Sequence, residues 1–223
     1  MTRKCKVVVF DLDDTLYKEI DYLKSGYRCI ASLVSNAYIA ENEVYQLMLN
    51  TYRQGGDSFA TVVQKYGFRL FNVEWMLGVY RNHKPKISLE DDTKDTLDWL
   101  KTNGVRLGVI TDGRLRQQQN KMDALGLLKY MDENDMVVNV KADRFKPDRR
   151  SFQYFMNKYG EFCDYWYVGD NTAKDFLAPN GLGWTTVCLL DDGRNIHKQC
   201  FDKDPIYLPK YKVSRISDVL GLI

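Results

Sequence analysis

Four short stretches of the chain combine carboxylates with hydroxyl, amide or ammonium groups. They are Asp11-Leu12-Asp13-Asp14-Thr15-Leu16, Thr111-Asp112-Gly113, Lys146-Pro147 and Gly169-Asp170-Asn171-Thr172-Ala173-Lys174-Asp175. Asp11 and Asp13 are two apart, so an extended backbone aims both side chains to one side. With Asp170 and Asp175 beside them, four negative charges share a small volume, and such a cluster repels itself unless a divalent cation neutralises it. All-oxygen ligands favour a hard ion, and a few carboxylates with waters and a substrate phosphate suit magnesium. Thr111, as cap of a following helix, leaves its hydroxyl and nearby backbone N–H groups for a phosphate oxygen. Lys146 is a point charge beside a helix N-terminus, again a place to hold phosphate.

These groups need a scaffold that brings them to one place. Residues 7–10 form a continuous apolar, β-branched run, suited to a strand buried on both faces. Further strands are expected at residues 105–110, 136–140, 165–168, 185–189 and 211–213. Helices alternate with them. One is opened by a capping box of Ser88 and Asp91 and runs to about Lys101. Another covers residues 116–125 and is closed by Gly126. A third has Pro147 in its first turn and reaches about Tyr159, and the last spans residues 217–222. Strand and helix taking turns predict an α/β fold, a doubly wound parallel sheet with helices on both faces. Ligands bind such sheets outside the carboxyl ends of the strands, which is where all four stretches fall.

Between the first and second strands, residues 17–83 show only helical patterning. Residues 22–39 place Leu23, Tyr27, Ile30, Leu33, Val34 and Ala37 on one face. Weaker stripes at 43–52, 58–66 and 73–80 are separated by Gly55-Gly56-Asp57 and Gly67. The expected organisation is a core domain of residues 1–16 and 88–223 carrying an inserted α-helical cap domain of residues 17–87.

Composition narrows the partners. With 32 basic and 30 acidic residues the net charge is only +2, which argues against a large electrostatic footprint for nucleic acid. The five cysteines are widely spread without C-x-x-C spacing, and read as free thiols of a reducing compartment. The basic residues 1–6 precede an apolar run too short for a signal peptide or a membrane span. A cytoplasmic protein with no membrane partner is the expectation.

Taken together and in this order, the four stretches resemble the signatures of the haloacid dehalogenase-like hydrolase superfamily, and the helical insert resembles the cap of its subfamily I. The resemblance implies a Rossmann-like core and a Mg2+-dependent phosphatase acting on a small phosphorylated metabolite. It implies Asp11 as nucleophile and Asp13 as general acid and base. The metal would be held by the Asp11 and Asp170 side chains and the Asp13 carbonyl, with Asp175 and Asn171 in support. Thr111, Asp112, Gly113 and Lys146 would bind the phosphoryl group. Many relatives carry Asn where this chain has Asp112, whose backbone N–H is then the expected contact. Asp13 itself points away from the dehalogenase branch, which lacks a carboxylate there. A phosphomutase, a phosphonate hydrolase with a cap lysine (Lys18, Lys24 or Lys65) and a non-catalytic phospho-metabolite binder are the alternatives. Tyr17 and Lys18 are expected at the leaving group, with hinges near Tyr17 and residues 84–87.

Overall fold

A run such as residues 7–10, with no polar side chain on either face, is suited to the inside of a sheet. The computed structural model, which describes residues 5–223, places β1 (Lys6–Phe10) there, with Val7 through Phe10 fully buried. The chain start, residues 1–4, lies outside the described residues. β2 (Arg106–Asp112) flanks β1 on one side, followed by β3 (Met136–Asn139). On the other side lie β4 (Asp164–Gly169), β5 (Thr185–Leu189) and β6 (Tyr211–Val213). The order is β3-β2-β1-β4-β5-β6 and every pair is parallel. Chain direction across the sheet reverses between β1 and β4, which opens a crevice at their carboxyl ends.

Successive side chains of a strand point to opposite faces. Val8 and Phe10 therefore join one apolar layer, with Leu97 and Leu100 of α5 (Asp91–Thr102) and Met122 of α6 (Leu115–Ala124). Val7 and Val9 join the other, with Phe152 and Phe155 of α7 (Arg150–Tyr159). The sheet is doubly wound, as the alternation predicts.

After β1 the chain enters four helices: α1 (Glu19–Val34), α2 (Glu41–Arg53), α3 (Ser58–Tyr66) and α4 (Val73–Asn82). Leu23, Tyr27, Ile30, Val34, Val44, Met48, Val62 and Met76 form an apolar cluster of their own. Asp14 turns the chain out of the sheet. Its φ of 55° is left-handed, and its carboxylate accepts the Glu19 N–H at 2.9 Å, at the first turn of α1.

Several expected boundaries move. α1 stops at Val34 because Asn36 turns the chain, its side-chain oxygen accepting the Tyr38 N–H; Leu33 and Ala37 are exposed. The Ser88–Asp91 capping box does not form, since Glu90 occupies the N-cap of α5 and makes no side-chain cap. α7 begins at Arg150, beyond the turn that Pro147 occupies. Thr111 belongs to β2 and is not a helix cap. Among the described residues no helix is long and apolar enough to cross a membrane.

Candidate active site

Asp11 is the first residue beyond β1, fixed by its N–H to the Val168 carbonyl at 2.8 Å. Lys146, carried by the segment after β3, brings its ammonium 2.7 Å from Asp11 Oδ1 and 2.8 Å from Asp175 Oδ1, and donates to the Tyr167 hydroxyl at 2.9 Å. Asp175 completes the frame through its other oxygen, which accepts the N–H groups of Asp170 and Asn171 at 3.1 and 2.8 Å. Asp170 stands at the end of β4. A Cβ at Gly169 would lie 2.6 Å from Asp175 Oδ2, so the approach of this carboxylate to the backbone requires glycine.

The sequence pattern gathers four carboxylates; the structure groups three. Asp11, Asp170 and Asp175 offer oxygens within 4.8 Å of one another. Against them stands the Lys146 ammonium, which leaves two formal negative charges in a buried space. Burial pushes the Asp11 carboxyl up to about 6, with Lys146 opposing and Asp175 adding to the rise. Asp170 is pushed up to about 9 by burial and then by the charges of Asp175 and Asp11. Carboxylates so placed call for a divalent cation, and the donor set, all oxygen, fits a hard ion. Asp175 has both oxygens engaged, whereas Asp11 Oδ2 and Asp170 Oδ1 have no hydrogen-bond partner among the described residues. Asp11 and Asp170 are thus the carboxylates open to a metal, and Asp175 is their support. Asn171 supplies its N–H to Asp175 and folds its side-chain oxygen onto the Ala173 N–H at 2.9 Å.

Asp13 is not among the three carboxylates whose oxygens come together. Lys121 of α6 grips its carboxylate at 2.7 and 2.9 Å, Gln118 donates at 3.1 Å, and the Tyr17 hydroxyl donates as well. Burial would raise the Asp13 carboxyl, but Lys121 and these hydrogen bonds prevail and hold it below the ordinary carboxylate range. Lys121 is 1% exposed and lies 4.6 Å above the Tyr22 ring and 3.8 Å from Glu19 Oε1. Burial and the Asp13 charge push Glu19 up to about 8, against the pull of Lys121.

The second stretch sits alongside. Gln118 also donates to the Thr111 hydroxyl, joining it to Asp13. Asp112 directs its carboxylate to three donors: Asn139 Nδ2 at 2.9 Å, the Lys146 N–H at 3.1 Å and Lys174 Nζ at 3.2 Å. Its charge is therefore compensated locally. The Gly113 N–H donates to the Asn139 carbonyl at 2.9 Å, so it is already engaged as a donor.

Sequence reasoning missed a fifth segment, the one after β5. Asn195 donates to Asp170 Oδ2 at 3.0 Å, Gln199 donates to the Asp170 carbonyl at 2.8 Å, and the Ile196 N–H reaches Asp14 Oδ2 at 2.9 Å. Lys18, expected at a leaving group, is instead bound to Asn195 Oδ1 at 2.8 Å and Asp192 at 3.2 Å. Tyr17 is committed to Asp13. Gln118 and Lys121, three positions apart on α6, were also missed. His197 stays outside the site, and His83 is buried at the end of α4.

Comparison with known proteins bears on this arrangement. Residues 8–189 match the family model of haloacid dehalogenase-like hydrolases. A glyceraldehyde 3-phosphate phosphatase of Methanocaldococcus jannaschii is 28% identical over 199 residues, covering 83% of this chain and 85% of its own. The Bacillus subtilis protein YfnB, solved bound to magnesium, superposes with a TM-score of 0.65 at 17% identity, over 99% of both chains. A phosphatase from Thermococcus onnurineus gives a TM-score of 0.58 at 22% identity, over 97% of both.

Proposed function

The chain belongs to the haloacid dehalogenase-like hydrolase family, and from that premise we propose that it is a magnesium-dependent phosphatase of small phosphorylated metabolites, working through a phosphoryl group held on Asp11. The observation that carries the reading is the Lys146 ammonium bridging Asp11 and Asp175 beside Asp170. A nucleophilic carboxylate is repelled by an anionic phosphate, and a fixed buried cation next to it offsets that repulsion. Relatives named as glyceraldehyde 3-phosphate phosphatases make a three-carbon sugar phosphate the first candidate substrate.

In the first half-reaction an Asp11 oxygen bonds to phosphorus as the ester P–O bond breaks, and the departing oxygen takes a proton from Asp13. In the second, Asp13 takes a proton from water, the water oxygen bonds to phosphorus, and phosphate leaves with Asp11 restored. In the arrangement seen, Lys121, Gln118 and Tyr17 hold Asp13 ionised, the form the second half requires. Its acid form requires that Lys121 loosen its hold when substrate enters. Magnesium held by the Asp11 and Asp170 carboxylates, with the Asp13 carbonyl, would add positive charge at the phosphoryl oxygens. Thr111 and Lys146 are the groups assigned to bind those oxygens. The helices α1–α4 are proposed as the cap, residues 17–87, that closes this buried site against water.

The test is phosphate release from a panel of phosphorylated metabolites that includes glyceraldehyde 3-phosphate, with and without magnesium, beside Asp11→Asn and Asp13→Asn. Magnesium-dependent release that both substitutions abolish is expected. Release that persists in Asp11→Asn would remove the covalent route.

A further inference from the structure

Two thiols face each other at the end of the sheet opposite Asp11. In the β1–β4 ladder Lys6 is paired with Asp164, and the Asp164 N–H donates to the Cys5 carbonyl at 2.8 Å. One position earlier on each strand, Cys5 therefore stands across from Cys163. Register partners on parallel strands project to the same face. Val7 and Val9 share one apolar cluster with Tyr165, Tyr167 and Cys163, and the same alternation puts Cys5 on that face. Neighbouring strands run about 4.8 Å apart, inside the Cα separation of about 4.4–6.8 Å that a disulfide spans.

The surroundings of the two sulfurs differ. Cys5 is exposed and Cys163 is buried. Burial, and then a hydrogen bond with Cys5, raise the Cys163 thiol to about 11. Its Sγ also donates to the Tyr159 carbonyl at 3.2 Å. One thiol meets solutes while the other waits behind it.

We propose that Cys5 and Cys163 form a redox-active dithiol that closes to an intramolecular disulfide in the presence of a small-molecule disulfide such as oxidised glutathione. The Cys5 thiolate attacks one sulfur of the oxidant, whose S–S bond breaks and releases one glutathione thiol. Cys163, its proton passed to water, attacks the Cys5 sulfur and releases the second thiol. Two protein thiols are oxidised and one disulfide is reduced. The bond fastens the entry of β1 to the entry of β4, the strands whose far ends carry Asp11 and Asp170, and it closes a long loop in the unfolded chain.

The experiment treats the wild-type chain with oxidised glutathione and maps its peptides without reduction. The expected product is a linked Cys5–Cys163 peptide, lighter by two hydrogens and reopened by dithiothreitol, with Tm raised by at least about 5 °C. In Cys163→Ser, a lasting glutathione adduct on Cys5 with no rise in Tm is expected. Exposed Cys200 serves as the internal comparison and should carry only an adduct. A stable adduct on wild-type Cys5 with Cys163 still free would overturn the proposal. So would a bond between two copies through Cys5, or no modification of Cys5 at all. The mapping needs no variant, so a substitution that fails to fold does not protect the idea.

Discussion

Replacing Gly169 with alanine tests how rigidly the carboxylate frame is built. The new Cβ would sit 2.6 Å from Asp175 Oδ2 and 2.9 Å from its Cγ. Asp175 has no room to yield freely, because Lys146 holds one oxygen at 2.8 Å and two backbone N–H groups hold the other at 3.1 and 2.8 Å. Relief to an ordinary contact needs a shift of about 0.8 Å. That carries the backbone hydrogen bonds to the edge of their useful range. Overpacking of this kind costs about 1–3 kcal/mol, and weakening bonds to a charged acceptor adds a similar amount. Both arise from one displacement and do not simply sum, so the expected loss is about 3 kcal/mol. In a chain of this size that lowers Tm by roughly 6–12 °C. Because Asp175 also sets the position of Lys146, phosphate release should fall about 10²-fold, as misplacements on this scale do. Urea unfolding and a phosphate-release assay measure the two effects. A variant within about 0.5 kcal/mol of wild type, with normal turnover, would refute the rigid frame.

Gly78→Ala is the companion change: inside α4, with nothing within 4 Å of the added carbon, it should stabilise by about 0.5–1 kcal/mol in the same urea experiment. Lys146→Met leaves Asp11 and Asp175 buried without their cation; thermal unfolding should show a loss of about 3–5 kcal/mol, smaller with magnesium present. His83 supplies a pH test. Its Nδ1 donates to the Tyr80 carbonyl at 2.8 Å, its Nε2 accepts from Ser25 at 3.2 Å, and burial, then Lys121, push its pKa below the usual 6.5. The unfolded chain then binds a proton that the folded chain refuses, so stability is full above about pH 6.5 and falls as pH drops below it, by up to about 1.4 kcal/mol per pH unit until the folded-state pKa is reached. His83→Asn should flatten that part of the stability profile measured by urea unfolding.

The strands were legible because runs such as Val7-Val8-Val9-Phe10 are suited to burial on both faces. The loops at their ends were legible with them, since sheet topology alone assigns Asp11, Lys146, Asp170 and Asp175 to one edge. Capping was read less well. Ser88, Thr111 and Pro147 have the right chemistry for helix starts, but a cap is decided by backbone angles and by what packs nearby. Gln118 and Lys121 look solvated in sequence. Their burial becomes intelligible only when Asp13, 105 and 108 positions away, arrives opposite them. Asn195, Ile196 and Gln199 lie in a stretch without periodicity, held by single polar contacts that no pattern announces.

The clamp at Asp14 also bears on the order of folding. One carboxylate of this residue accepts the Glu19 N–H, five positions on, and the Ile196 N–H, 182 positions away. Contacts among α1–α4 close short loops, whereas joining β1 to β4 and to the segment beyond β5 closes very long ones, and long closures come slowly. The helices are therefore expected to consolidate early, and the two carboxylate loops to meet late. In pulsed hydrogen exchange the Ile196 amide should gain protection in the final phase, after the amides of α1–α4; earlier protection would contradict this order. Catalytic competence is then expected to appear only once β1, β4 and the segment after β5 have joined, since Asp11, Asp170 and Asn195 come from those three places.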